Sequence, residues 1–399
     1  MIKMLTASTF ELDDTDAAVR EIQEQLRGQG GLLKNTVGLL FCYLDFITSG
    51  AVEAVCEALP FDVLGSTSMG AAAPGTMGDI ILTLTVLTSD DVEFRMGLSD
   101  SLTEGEEERV VGVYRELSAS AQSSPKLILI ILPSLYNLAG DMVTGVFDRE
   151  SGGVPVFGMG ALDADTKIRT PKTIFRGTAY SDRMVVLLFL GNLEPRFFID
   201  SVWGHNIYTQ KALVTAAEKN RMISVNNLPA AEYMRTIGCI TENTQDMLFL
   251  SPLAIDSGYN GLPTLFIIYT INDDGSLTCS VNTPEGSTIH IGFPGSGEVI
   301  SSAKIITGAV KSAGGEAALI LSCFSRSVIL TNPLDEMEAV QEDLKDSALP
   351  YMLGYAGGEI CPVYDGKGRA VNQYHNYSII ACVFGVPPVS NSGRQEDCS

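Results

Sequence analysis

Basic residues, histidines and long apolar runs are what this sequence has least of, and each shortage closes off a class of function. Lys and Arg number 26 against 48 Asp and Glu, a formal net charge of -22. A field of that sign repels phosphate backbones and anionic lipid surfaces. It argues against nucleic-acid binding and favours solubility or a cationic partner. The longest apolar runs, at residues 126–132 and 185–190, are strand-sized. They fall well short of the ~20 residues a membrane-spanning helix needs. The first residues lead at once into Glu11, Asp13, Asp14 and Asp16, where a secretory leader would carry an apolar segment. The expectation is a cytoplasmic protein that binds neither membrane nor nucleic acid.

With three histidines (His205, His290 and His375), a His-rich metal site is not expected. Eight cysteines are spread without Cys-x-x-Cys or other ligand spacing, so they read as small buried hydrophobes rather than zinc ligands. The phosphate-binding loop, the dinucleotide fingerprint, the Gly-x-Ser-x-Gly elbow and paired-carboxylate signatures are missing as well. An enzyme is therefore not the expected reading.

What is present is internal repetition. A strand-like run at 37–43 leads into 50–59, where Val52, Val55, Cys56 and Leu59 recur at helical spacing. Phe61-Asp-Val-Leu-Gly65 then ends in the polar turn Ser66-Thr67-Ser68, and a closing strand covers 79–87. The same order returns from 126 to 190, with a helix at 135–147 and Gly158 in the turn. It returns again from 318 to 384, with a helix at 334–344 and Gly354 in the turn. Such a glycine suits a positive φ or a close backbone approach, to a ligand or within the sheet itself. The expected fold is α+β: two domains of mixed β-sheets flanked by helices, containing three related strand–helix–strand units. A further helix is expected from Pro229, and Asn272-Asp-Asp-Gly275 has hairpin turn chemistry.

The third copy carries motifs that resemble a known family. Ser322-Cys-Phe-Ser-Arg326, Gly354-Tyr-Ala-Gly357-Gly358-Glu359-Ile and His375-Asn376-Tyr-Ser378 are similar to the strand end, turn and strand entry of the C-terminal FIST domain. Val63-Leu-Gly-Ser-Thr-Ser-Met-Gly70 resembles the N-terminal FIST domain's turn, although Ala71-Ala72-Ala73 stands where an acidic residue is usual. The segment 203–233 resembles the bridge between the two. The resemblance implies an N-terminal extension at 1–35, domains at 36–228 and 229–386, and a tail at 387–399. It further implies a sensory protein that binds a small, amino-acid-like ligand and signals through a separate protein.

Candidate ligand residues cluster in the third copy. Arg326 and Glu359 would hold the carboxylate and amino groups of such a ligand, or pair with each other. Asn376, Cys323 and the turn glycines Gly354, Gly357 and Gly358 complete that edge. In the first copy Gly65, Ser66, Thr67 and Ser68 would donate to an anion or satisfy their own turn. No cofactor is expected, but two alternatives remain open. One is a haem-binding gas sensor using His375 or His205, or else His375 is structural. The other is a cysteine-dependent enzyme, with Cys323 activated by Arg326 and His375 as base, or else Cys323 is buried and inert.

Overall fold

A computed structural model describes residues 1–163, 170–203, 208–241, 251–256, 263–364 and 367–385. The chain runs through the same path three times. The first passage is β1 (Ile2–Thr9), α1 (Thr15–Gly28), β2 (Asn35–Cys42), α2 (Asp45–Thr48), α3 (Ala51–Glu57), β3 (Val63–Thr67), the hairpin β4 (Ala71–Ala73) and β5 (Thr76–Gly78), and β6 (Leu82–Ser89). The second is β7 (Val92–Leu98), α4 (Glu106–Ala119), β8 (Pro125–Leu132), α5 (Gly140–Ser151), β9 (Val156–Gly160), the hairpin β10 (Thr173–Phe175) and β11 (Thr178–Tyr180), and β12 (Val185–Gly191).

The third passage opens with β13 (Arg196–Ser201) and is interrupted by a separate antiparallel sheet. That insertion holds β14 (Tyr208–Glu218), β15 (Arg221–Val225), β16 (Leu228–Pro229), α6 (Ala230–Thr236), β17 (Leu253–Ile255), β18 (Thr264–Phe266), β19 (Ile268–Ile271), β20 (Leu277–Cys279) and β21 (Thr288–Phe293). The passage resumes with α7 (Ser296–Ala313), β22 (Ala317–Cys323), α8 (Phe324–Ser327), α9 (Asp335–Leu344), β23 (Tyr351–Ala356), the hairpin β24 (Glu359–Tyr364) and β25 (Ala370–His375), and β26 (Ser378–Phe384).

Pairing is the same in each unit. The second and third strands are parallel (β2 with β3, β8 with β9, β22 with β23). Parallel neighbours need a crossover, and the intervening helix supplies it. The closing strand lies antiparallel to the second, and the opening strand antiparallel to the closing one. Residues 1–35, expected as an extension, thus provide β1 and α1. That helix has Asp14 accepting from the Ala17 amide at its N-cap and buries Ala18, Ile22 and Leu26 at i, i+4, i+8.

The hairpins do not stay in their own units. The first unit's β4–β5 extends the third sheet beside β23, the second unit's β10–β11 extends the first beside β3, and the third unit's β24–β25 extends the second beside β9. The recurring glycines lie inside these paired strands, each between its own unit's parallel neighbour and an incoming hairpin. Gly65, Gly158 and Gly354 pair with Ile174, Ile360 and Ala71 of the incoming strands. A Cβ at Gly65 or Gly158 would sit 1.9 or 2.0 Å from the carbonyl oxygen of Leu40 or Ile130. At Gly354 the nearest atom would be the Phe41 ring at 3.5 Å, an ordinary contact. None of the three has a positive φ. Their backbone serves strand pairing, not an open turn.

One face of all three sheets meets in a shared core, where Leu39, Leu129 and Leu319 join Phe189 and Phe384, whose rings stack at 5.7 Å. Helices cover the opposite faces: α1 and α3 over the first sheet, α4 and α5 over the second, α7 and α9 over the third. The architecture is α+β, built from mixed sheets and helices in two domains. Among the described residues no helix is long and apolar enough to cross a membrane. The tail at 387–399 and His205 lie outside the described residues.

Candidate functional site

At the ends of β22 and β23, the third unit meets the end of β9 and strand β19 of the inserted sheet. A cavity of about 100 Å³ opens there. Since a buried water needs roughly 10–15 Å³ of such space, it holds several waters or one small solute. Asp163, Tyr269, Cys323, Ser325, Gly357 and Asn376 form its polar wall, and Leu162, Pro171, Ile268 and Phe324 its apolar one.

Asn376 is the most informative residue of that wall. It is completely buried, and its Oδ1 accepts a hydrogen bond from Ser280 Oγ at 2.7 Å. Its Nδ2 has no hydrogen-bond partner. The side chain is placed by a turn in which Tyr377 holds a φ of 55°, a left-handed conformation uncommon outside glycine. The Asn376 amide donates to Leu265 O, and Tyr377 O accepts from the Val202 amide.

The glycines opposite have a steric explanation. Gly358 has a φ of +120°, and a Cβ there would lie 1.9 Å from Tyr374 Oη and 2.9 Å from Asn376 Nδ2. The Gly357 amide donates to Gly160 O, while its carbonyl accepts from Tyr374 Oη at 2.9 Å. The Tyr374 and Tyr269 hydroxyls are 3.5 Å apart, which connects the turn to the inserted sheet.

Cys323 and Glu359 are both buried, and only Cys323 reaches the cavity wall. Burial, followed by the neighbouring Glu359 charge, pushes the Cys323 thiol up to about 12. The expected activation by Arg326 is replaced by suppression, because burial disfavours the thiolate most and the neighbouring Glu359 adds to it. Neither Glu359 oxygen has a hydrogen-bond partner of good geometry. Burial drives this carboxyl well above the usual range, against the opposing pull of Arg326.

Arg326 is not paired with Glu359. Its Nε and Nη2 donate to Glu336 Oε1 at 2.9 and 2.5 Å, and Nη2 also donates to Val299 O at 2.9 Å. Both members of the pair have fully buried side chains. Glu336 reads in the sequence as one of several acids opening a helix. Its i, i+4, i+8 spacing with Val340 and Leu344 is the signal that puts it on the inner face. Ser280, Asp163 and Tyr269 carried no such signal, since distant segments bring them to the site.

His375 pairs with Glu359 across the β24–β25 ladder. Its Nε2 lies 3.3 Å from Cys361 O, and burial lowers its pKa to about 4. A ring enclosed between strands, with this nitrogen turned to a backbone carbonyl, does not fit a haem ligand. Of the first-unit candidates, Thr67 Oγ1 accepts from the Lys172 amide at 2.8 Å. Ser68 Oγ donates to Gly70 O at 2.9 Å and lies 2.8 Å from Tyr355 O. Ser66 Oγ is buried without a partner. Together with Gly65 and Gly354 they lie outside the cavity wall. Among the described residues no three His, Cys, Asp or Glu side chains gather as metal ligands would.

A comparison with family models matches the FIST N domain to residues 36–227 and the FIST C domain to residues 229–362. A search of curated proteins found no match. FIST domains are associated with sensing and signal transduction, often through small ligands. Three units, their turns and both domain matches lead to one assignment: this chain belongs to the FIST family.

Proposed function

We propose that this chain is a sensory input protein that captures a small amino-acid-like ligand in the cavity beside Asn376 and passes the signal to a separate protein. The observation that carries this reading is the Asn376 Nδ2 donor, fully buried at the cavity wall with no partner. An orphaned buried polar group costs about 1–3 kcal/mol, and most such groups in native proteins are matched by protein, water or ligand. A ligand carboxylate oxygen would accept from it. Asp163 gives the same wall a negative side for an ammonium group, and Leu162, Ile268 and Phe324 suit a short aliphatic side chain.

Size and chemistry favour this over the alternatives. Pockets for larger ligands run to roughly 300–1,000 Å³, several times this cavity. A thiol held near 12 supplies almost no thiolate at neutral pH, which disfavours a cysteine nucleophile. The test is a thermal-shift screen with amino acids and small carboxylates. A ligand present at 100 times its Kd stabilises by about 2.7 kcal/mol, which such a screen detects. The shift should vanish in Asn376→Ala while circular dichroism stays unchanged. A panel with no active compound, or a shift that survives the substitution, would remove the reading.

A further inference from the structure

We propose that the groove beside α7 and α9 docks a basic, Lys- or Arg-bearing segment of a separate signalling protein. The groove has a volume of about 900 Å³, and its walls include Lys304 of α7, much of α9, and the Pro74–Gly75 turn of the exchanged hairpin. Asp335, Glu338 and Glu342 follow one another at three- and four-residue spacing, so their carboxylates form one stripe along α9. Lys345 pairs with Glu342, leaving the stripe acidic overall.

The second observation is Tyr351. It lines the groove, is 2% exposed, and its hydroxyl has no hydrogen-bond partner. A buried hydroxyl without a partner is unfavourable, and an occupant's backbone carbonyl would satisfy it. A second copy of this chain is a poor occupant. At a net charge of -22 it would bring carboxylates against carboxylates. A cationic segment is attracted by the stripe and steered to it.

The groove also reaches the cavity by two routes. Strand β23 begins at Tyr351 and ends at Ala356 on the cavity wall, roughly 17 Å along the strand at about 3.3 Å per residue. Helix α9 holds Glu336, whose bond to Arg326 anchors the segment containing Phe324 and Ser325 of that wall. This coupling rests on the reading of the cavity as the sensory site; the docking does not.

The test is fluorescence anisotropy with a labelled oligoarginine peptide at low salt and no added amino acid. Glu338→Lys/Glu342→Lys should weaken binding about tenfold, equivalent to about 1.4 kcal/mol. The control pair Glu104→Lys/Glu108→Lys, exposed elsewhere, should change it less than about twofold. Tyr351→Phe, which keeps the ring, should weaken it about threefold, as a net hydrogen bond implies. Equal losses from the two charge-reversed pairs would show attraction to any acidic surface and overturn the proposal. Wild-type affinity in Tyr351→Phe would overturn it too. Because no small ligand is present, failure here leaves the cavity reading standing, and a failed ligand screen leaves the docking standing.

Discussion

Ser280 Oγ donates to Asn376 Oδ1 at 2.7 Å, and this bond decides which end of the Asn376 amide is left over. The same Oγ accepts from the Ile267 amide at 3.1 Å, while its own hydrogen goes to the asparagine carbonyl. The NH₂ end therefore stays without a partner at the wall. A residue just past strand β20 of the insertion thus sets the polarity of a candidate site built mainly by the third unit.

Ser280→Ala should lower ligand affinity although Ser280 is not part of the cavity wall. Without the hydroxyl the Asn376 amide is free to turn, and its Oδ1 loses its donor. Calorimetric titration should show Kd rising by about five- to tenfold, as loss of one hydrogen bond near 1 kcal/mol implies. Ser280→Thr, which keeps the hydroxyl, should recover most of it.

Removing Arg326 should be severe for stability. Arg326→Met leaves Glu336 buried and uncompensated, at a cost of about 3–5 kcal/mol. Arg326→Met/Glu336→Leu removes both charges and should regain most of that loss in urea denaturation. A double variant no better than the single one would show that Arg326 acts through other contacts.

The two structurally forced glycines should be separable from the third. Gly65→Ala and Gly158→Ala place a methyl inside contact distance of a neighbouring strand's carbonyl and should cost about 1–3 kcal/mol or more. Gly354→Ala meets only the Phe41 ring at 3.5 Å and should cost much less. Denaturation midpoints of the three variants check the order.

Two buried groups should bend the stability–pH curve in opposite directions. His375 is neutral in the fold, with a pKa lowered from 6.5 to about 4. Its contribution is complete above 6.5 and is lost as pH falls from 6.5 to 4, by up to roughly 3 kcal/mol. Glu359 is raised, so it stays protonated in the fold where the unfolded chain has already released its proton. Its contribution is lost as pH rises above the ordinary carboxylate value of about 4.3. His375→Gln should flatten the acid limb, and Glu359→Gln should raise the Tm more at pH 8 than at pH 5.

The three units were legible in the sequence because each is a local pattern: a strand, a helix and a strand within about 60 residues. The hairpin around Asn272 and the helix after Pro229 were legible for the same reason. Helix α1 was readable from Asp14, Ala18, Ile22 and Leu26, but no neighbouring motif drew attention to it. The hairpin exchange was not readable, since nothing in Ala71-Ala72-Ala73 names β23 as its partner. The candidate site was legible at Cys323, Gly357 and Asn376, which the third unit brings to one cavity wall. Its remaining members follow from tertiary placement: Glu336 takes Arg326, and Ser280 orients Asn376 from the insertion.

Ligand capture by the Asn376 amide is tested most directly by a calorimetric titration of Asn376→Asp. The amino acid most stabilising to the wild-type protein should bind it with one saturable site. Asn376→Asp replaces a donor with a carboxylate at the same volume, and should reduce that affinity by about a hundredfold or abolish it. Wild-type affinity in Asn376→Asp would contradict the account.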